Sequence, residues 1–120
     1  MAAARARPRE PVDAAAQRKV VALLGLGARG RQVVVGVEQV RAAAHRGRLK
    51  LVVLAPDASR HSRDKVLALL QAKRVSVLDG PDAAELGAAV GRSGTAAVGI
   101  IDPALADGIR AAASVAARGE

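Results

Sequence analysis

Four short aliphatic runs, each set between stretches with helical spacing, limit what this chain can become. They are Val33-Val34-Val35, Leu49 to Leu54, Val75 to Leu78 and Ala96 to Ile101. All are too short for a stable helix, and turn-forming residues follow them: Gly36, Pro56, Gly80-Pro81-Asp82 and Asp102-Pro103. Short segments bounded in this way read as strands, buried at Leu49 to Leu54 and alternating at Val75 to Leu78. The intervening segments place apolar residues three and four apart, as one face of a helix requires. Their stripes are Val20, Val21, Leu23 and Leu24, then Val37, Val40 and Ala44, then Val66, Leu67, Leu69 and Leu70, then Leu86, Ala89 and Val90, and last Leu105, Ile109, Ala112 and Ala116. Helices alternating with strands at this spacing predict an α/β protein: a three-layer α/β/α sandwich around a mixed four-stranded sheet.

Punctuation supports the same elements. Asp13 is placed to cap the first helix, and the glycine-rich stretch Gly25 to Gly30 is placed to end it. Gly47 ends the second helix, and Asp57 or Ser59 caps the third. Pro81 and Asp82, with Glu85 three residues on, open the fourth. Residues 1–11 carry Arg5, Arg7, Arg9 and two prolines with no apolar period, and read as a disordered basic leader. Residues 12–117 then form a single domain.

Composition removes several function classes. There is no Phe, Trp or Tyr, so aliphatic residues and alanine must build the core, and stacking of single-stranded bases on aromatic platforms is excluded. There is no Cys, which excludes disulfides, zinc thiolates and cysteine nucleophiles and suits a reducing cytoplasm. No stretch is long and apolar enough to span a membrane as a helix. The net charge is +8 and the pI about 11.4. The excess is uneven: residues 1–60 hold 12 Arg or Lys against 4 Asp or Glu, while residues 61–120 hold 7 against 7. A basic half on a small domain is the electrostatic footprint of a polyanion partner. Arg outnumbers Lys 15 to 4, which favours bidentate phosphate or guanine contacts.

One motif points elsewhere. Gly25-Leu26-Gly27-Ala28-Arg29-Gly30 matches GxGxxG literally, and such glycines can admit a dinucleotide pyrophosphate to a helix N-terminus. Val33 to Gly36 interrupts the helix that should follow. Asp57 also comes 27 residues after Gly30, against about 20 for a ribose-binding acid. The simpler reading is a glycine-rich helix end. His45 reads as solvent-facing. Asp57, Ser59 and His61 read as a helix cap rather than nucleophilic machinery, and Asp79, Asp82 and Glu85 as turn and cap residues. Two histidines without Cys make no metal constellation. Arg46, Arg48 and Lys50 are either a solvated rim or a phosphate track.

Four segments in order carry a resemblance. They are Leu23 to Leu26 with Arg29-Gly30-Arg31; Gly36-Val37-Glu38-Gln39-Val40 through Gly47; Leu51 through Pro56-Asp57-Ala58-Ser59; and Leu86 to Arg92 through Ala97 to Ile100. Over roughly residues 14 to 112 the chain resembles the kink-turn RNA-binding ribosomal proteins, of the archaeal L7Ae type and its bacterial YlxQ-like branch. The resemblance implies the sandwich reached above and a cytoplasmic, monomeric, non-catalytic ribosomal or ribosome-associated protein with no cofactor. It implies an RNA surface in three parts that converge at one end. The first is the helix start Gly36, Val37, Glu38, Gln39 and Arg41, with Arg29 and Arg31 holding the backbone just before it. The second is the loop at Pro56 and Asp57. The third is the loop Gly91 to Ala96, through Gly91, Arg92, Ser93 and Gly94. Where the archaeal proteins carry Asn-Glu and a later Lys, this chain carries Glu38, Gln39 and Ala42, which looks closer to the bacterial branch. Two other expectations stay open: a protein-interaction module on the same fold, and a dinucleotide-binding domain using Gly25, Gly27 and Gly30.

Overall fold

The computed structural model describes residues 14–117. The leader 1–11 and the Asp13 cap lie outside them. The order of elements is α1 (Ala14–Arg29), β1 (Val33–Val35), α2 (Val37–His45), β2 (Leu51–Leu54), α3 (Arg60–Ala72), β3 (Val77–Asp79), α4 (Ala83–Ala89), β4 (Ala97–Ile100) and α5 (Pro103–Ala117). The four strands form one mixed sheet in the order β1-β4-β2-β3. Strand β4 runs antiparallel to both β1 and β2, while β2 and β3 are parallel.

Both central strands are buried along their whole length. That is why their sequences are continuous aliphatic runs without polar alternation. Side chains still alternate between the faces. Leu51 and Val53 of β2, with Val98 and Ile100 of β4, pack against α1, α4 and α5 through Val20, Leu24, Leu86, Ala106 and Ile109. Val52, Leu54 and Ala97 turn to the other face and meet Val40, Ala43 and Ala44 of α2 and Val66 and Leu70 of α3. The result is the expected three-layer α/β/α sandwich.

Four helices end in the same way. The second residue after the helix has positive φ, at Arg31 (59°), Gly47 (68°), Arg74 (59°) and Gly91 (80°). The next N–H reaches back five residues: Gln32 to the Gly27 carbonyl (2.8 Å), Arg48 to Ala43 (3.0 Å), Val75 to Leu70 (2.9 Å) and Arg92 to Gly87 (2.8 Å). This bond satisfies carbonyls the helix leaves open. It also accounts for one difference from the sequence reading. Val75 closes α3 instead of starting a strand, so β3 begins at Val77.

The glycines of α1 differ as well. Gly25 and Gly27 lie inside the helix, which ends only at Arg29. A Cβ on Gly27 would fall on the Leu105 side chain and lie 3.0 Å from Val33 Cγ1. Gly27 is there for close approach of α5, not for a turn. Gly99, in the middle of β4, plays the equivalent part on the other face. A Cβ there would sit 2.6 Å from Leu49 Cδ2, 3.0 Å from Val34 Cγ2 and 3.3 Å from Val40 Cγ2. Overpacking a core in this way costs about 1–3 kcal/mol. Gly99→Ala is therefore expected to lower the melting temperature, followed by far-ultraviolet circular dichroism, by roughly 5–15 °C. An unchanged melt would show that α2 does not need its close seat on the sheet.

Candidate nucleic-acid interface

Because β1 and β2 run against β4, both end where β4 begins. The Gly36 N–H donates to the Ala97 carbonyl (2.8 Å) and the Ala55 N–H to the Ala96 carbonyl (2.9 Å). The Thr95 hydroxyl donates to the same Ala97 carbonyl (3.2 Å). Three segments distant in sequence thus meet at one end of the sheet: the start of α2, the loop after β2 and the foot of the loop before β4.

Gly36 is the N-cap of α2, with φ 96° and ψ 155°. An L residue is strained at that φ, and nothing lies within 4 Å of where its Cβ would be. The starts of α3, α4 and α5 have side-chain caps. Ser59 accepts from the Ser62 N–H (3.1 Å), Asp82 from Glu85 (2.9 Å) and Asp102 from Leu105 (2.8 Å). The start of α2 has none. Its first intrahelical bond runs from the Val40 N–H to the Gly36 carbonyl (2.9 Å). The helix therefore presents first-turn N–H groups and the positive end of its dipole beside open space.

Around that start, Val37 turns inward onto the α2–α3 core layer while Glu38 and Gln39 are exposed. The Glu38 carboxylate sits between two cations, 3.5 Å from Arg41 Nη1 and 3.5 Å from Lys65 Nζ. Arg41 is only partly exposed, and its Nε is buried without a hydrogen-bond partner. In the second segment, Pro56 and Asp57 are exposed. Asp57 accepts the Ala83 N–H through Oδ1 (2.8 Å), tying this loop to the first turn of α4. It does not cap α3, where Ser59 takes that place. Arg63 braces the same loop: its Nη1 donates to the Ala55 carbonyl (3.2 Å) and lies 3.8 Å from Asp79 Oδ1.

The third segment folds back along α4. Thr95 N–H reaches the Ala83 carbonyl (3.1 Å), and a Cβ on Gly87 would land on the backbone of Gly94. Gly91, Arg92, Ser93 and Gly94 are exposed along this return path. Gly91 and Arg92 cluster at the far end of α4, and only Thr95 and Ala96 come up to Gly36.

The structure thus brings together Gly36, Val37, Glu38, Gln39, Arg41, Pro56 and Asp57, with Thr95 and Ala96 alongside but Gly91 and Arg92 at the far end of α4. It does not bring Arg31 there. Arg31 precedes β1 and Gly36 follows it, and Val33 pairs with Ile100 at the opposite end of the sheet. At about 3.3 Å per residue, the strand sets the two roughly 16 Å apart. Arg29 is displaced as well: its Nη1 folds back to 4.0 Å from the Cβ position of Gly25, which faces the Ala89 carbonyl at the end of α4. Neither arginine adjoins the start of α2. The dinucleotide reading fails on the same geometry. That fingerprint needs strand, turn and helix in order, whereas Gly25 and Gly27 sit in the last turns of a helix that leads into a strand.

Sequence reasoning missed Lys65 and Arg63, and placed Thr95 only within the loop Gly91 to Ala96. Lys65 and Glu38 are 27 residues apart, and no local pattern links them. Among the described residues no group of His, Cys, Asp or Glu could hold a metal ion. No helix among them is long and apolar enough to cross a membrane.

Residues 18–108 match the model of the ribosomal protein L7Ae/L30e/S12e/Gadd45 family. The chain belongs to that family. A protein with unknown function from Bacillus halodurans C is similar to it in structure, with 32% sequence identity and a TM-score of 0.75 over 80% of this chain and 97% of that one. The Giardia lamblia 15.5kD RNA binding protein shares the fold, with 20% identity and a TM-score of 0.70 over 92% of this chain and 96% of that one. No curated protein matches this sequence.

Two substitutions separate the parts that build this surface. Asp57→Ala is expected to destabilise the fold by about 1 kcal/mol, as for other lost caps, with Asp57→Asn nearer to wild type. Gly87→Ala is expected to cost more, about 2 kcal/mol or above, and to speed hydrogen exchange at Arg92 and Thr95, because its contact is backbone that no rotamer can relieve. Equal exchange in wild type and G87A would show that the loop is not seated on Gly87.

Proposed function

We propose that this chain binds structured RNA of the kink-turn kind at the end of the sheet where α2 begins, and that it does so without catalysis. The observation that carries the reading is the uncapped start of α2 at Gly36. Its N–H groups open onto free space, with Gln39 exposed one turn away and two loops alongside. Such a helix start holds a phosphate through backbone N–H groups. Gln39 can make paired hydrogen bonds to a base edge. Glu38, held between Arg41 and Lys65, can accept from a base amino group while its charge is offset. Membership of the family, and the RNA binding of the Giardia lamblia protein of the same fold, support RNA as the partner. Binding to the bent form alone would draw the RNA into it by population shift. In this reading the protein acts as a monomeric ribosomal or ribosome-associated protein in the cytoplasm, with no cofactor.

One observation favours a second reading. Charge at this end is nearly balanced, with Arg41, Lys65 and Arg63 set against Glu38, Asp57 and Asp79. A surface of that kind also suits a protein partner. Gel shifts separate the two. The RNA reading expects a kink-turn hairpin to bind at least 10-fold tighter than a fully paired control, and Gln39→Ala to remove most of that preference. A hairpin that binds no better than the duplex would sink kink-turn recognition and leave the protein-partner reading.

A further inference from the structure

A group of cations lies at the end of the sheet away from Gly36. There the last residues of β4 are bonded on both sides: the Ile101 N–H to the Gln32 carbonyl (3.0 Å) and the Ile100 carbonyl to the Lys50 N–H (2.8 Å). Val33 and Leu51 both register with Ile100. Arg31 and Lys50 therefore flank one strand end, with backbones roughly 10–15 Å apart, given about 4.8 Å between strands. Arg48 stands between Lys50 and the end of α2, and Arg110 reaches in from α5, its Nη2 on the Lys50 carbonyl (2.7 Å).

Among the described residues the nearby carboxylates make no ion pair with Arg31, Arg48 or Lys50. Asp102 is spent on capping α5 and Asp107 on pairing with Arg110 at 3.1 Å. Arg31, Arg48 and Lys50 are exposed, and their side chains have no ion pair or hydrogen bond among the described residues. Arg31 holds its place at φ 59°, a conformation that suits glycine better. Unpaired cations spaced at about one Debye length sum into a field that a single anion contact does not exhaust.

We propose that Arg31, Arg48 and Lys50 form a second RNA contact, which takes the sugar–phosphate backbone without reading sequence and is separate from the surface around Gly36. The inference rests on RNA being the partner in the proposed function. The ligand here is duplex backbone and not a bent motif. The molecule measures 38 × 28 × 27 Å, so a short hairpin held at Gly36 leaves this end free for a second RNA segment.

The test is filter binding by the full chain over a salt series, with two RNAs: a minimal kink-turn hairpin and a fully paired duplex. The proteins are wild type, the triple variant Arg31→Gln, Arg48→Gln, Lys50→Gln, the charge-keeping pair Arg31→Lys, Arg48→Lys, and Gln39→Ala. The triple variant is expected to bind the duplex at least 10-fold more weakly at low salt. Its slope of log K against log salt should be shallower by about 2.7, since each lost phosphate contact removes about 0.9. It should keep hairpin affinity within about 3-fold, and the charge-keeping pair should match wild type on both RNAs. Gln39→Ala should do the reverse, weakening the hairpin and sparing the duplex. An unchanged duplex slope in the triple variant overturns the proposal, and so does an equal loss on both RNAs. If wild type shows no preference for the hairpin while the triple variant still loses the duplex, the Gly36 reading fails and this one stands.

Discussion

Strand β4 gives its Ala97 carbonyl to the Gly36 N–H at one end and its Ile100 carbonyl to the Lys50 N–H at the other. Between those bonds it pairs along its length with β1 on one side and β2 on the other. Both proposed contact surfaces hang from that strand. Its antiparallel run decides that the ends of β1 and β2 face the loop before β4, and so assembles the α2 start, the Pro56 loop and Thr95 in one place. The same run decides that the residues before β1 and β2 gather at the other end. A sheet with β4 reversed would mix the two sets.

Electrostatics and geometry divide the work between those ends. Around Gly36 the cations are already engaged. Lys65 and Arg41 share Glu38, and Arg63 is held by the Ala55 carbonyl beside Asp79. Exposed ion pairs of this sort contribute at most about 1 kcal/mol to stability. Their effect is to fix where Glu38 points and to keep a carboxylate from standing alone beside an approaching phosphate. In the proposed reading, recognition at this end is left to backbone N–H groups and side-chain amides. Around Lys50 the cations are open to solvent, which suits a long-range, salt-sensitive attraction.

Much of the fold is legible in the sequence because it rests on local signals. The aliphatic runs mark β1 to β4, the Val37, Val40 and Ala44 stripe marks the buried side of α2, and Asp82 with Glu85 marks the start of α4. Gly36 is readable too, as a glycine between a β-branched run and a helical stripe. What is not legible depends on pairs far apart in the chain. Asp57 caps a helix that begins 26 residues later, and Gly27 and Gly99 are glycines because of Leu105, Leu49, Val34 and Val40. Arg31 looks close to Gly36 when counted in residues, but a three-residue strand is enough to carry it to the other side of the sheet. The GxGxxG pattern misleads for a related reason. Glycines that make room for a neighbouring helix and glycines that make room for a pyrophosphate are written the same way.

The contact between Gly87 and Gly94 is main chain on main chain. No torsion of a side chain stands between loop and helix, so the loop has no small adjustment open to it. It stays on α4, or it leaves together with the bonds from Arg92 and Thr95. A partner meeting that edge meets a shape set before encounter. Association there should therefore be a single step limited by collision and orientation, with no slower rearrangement following it.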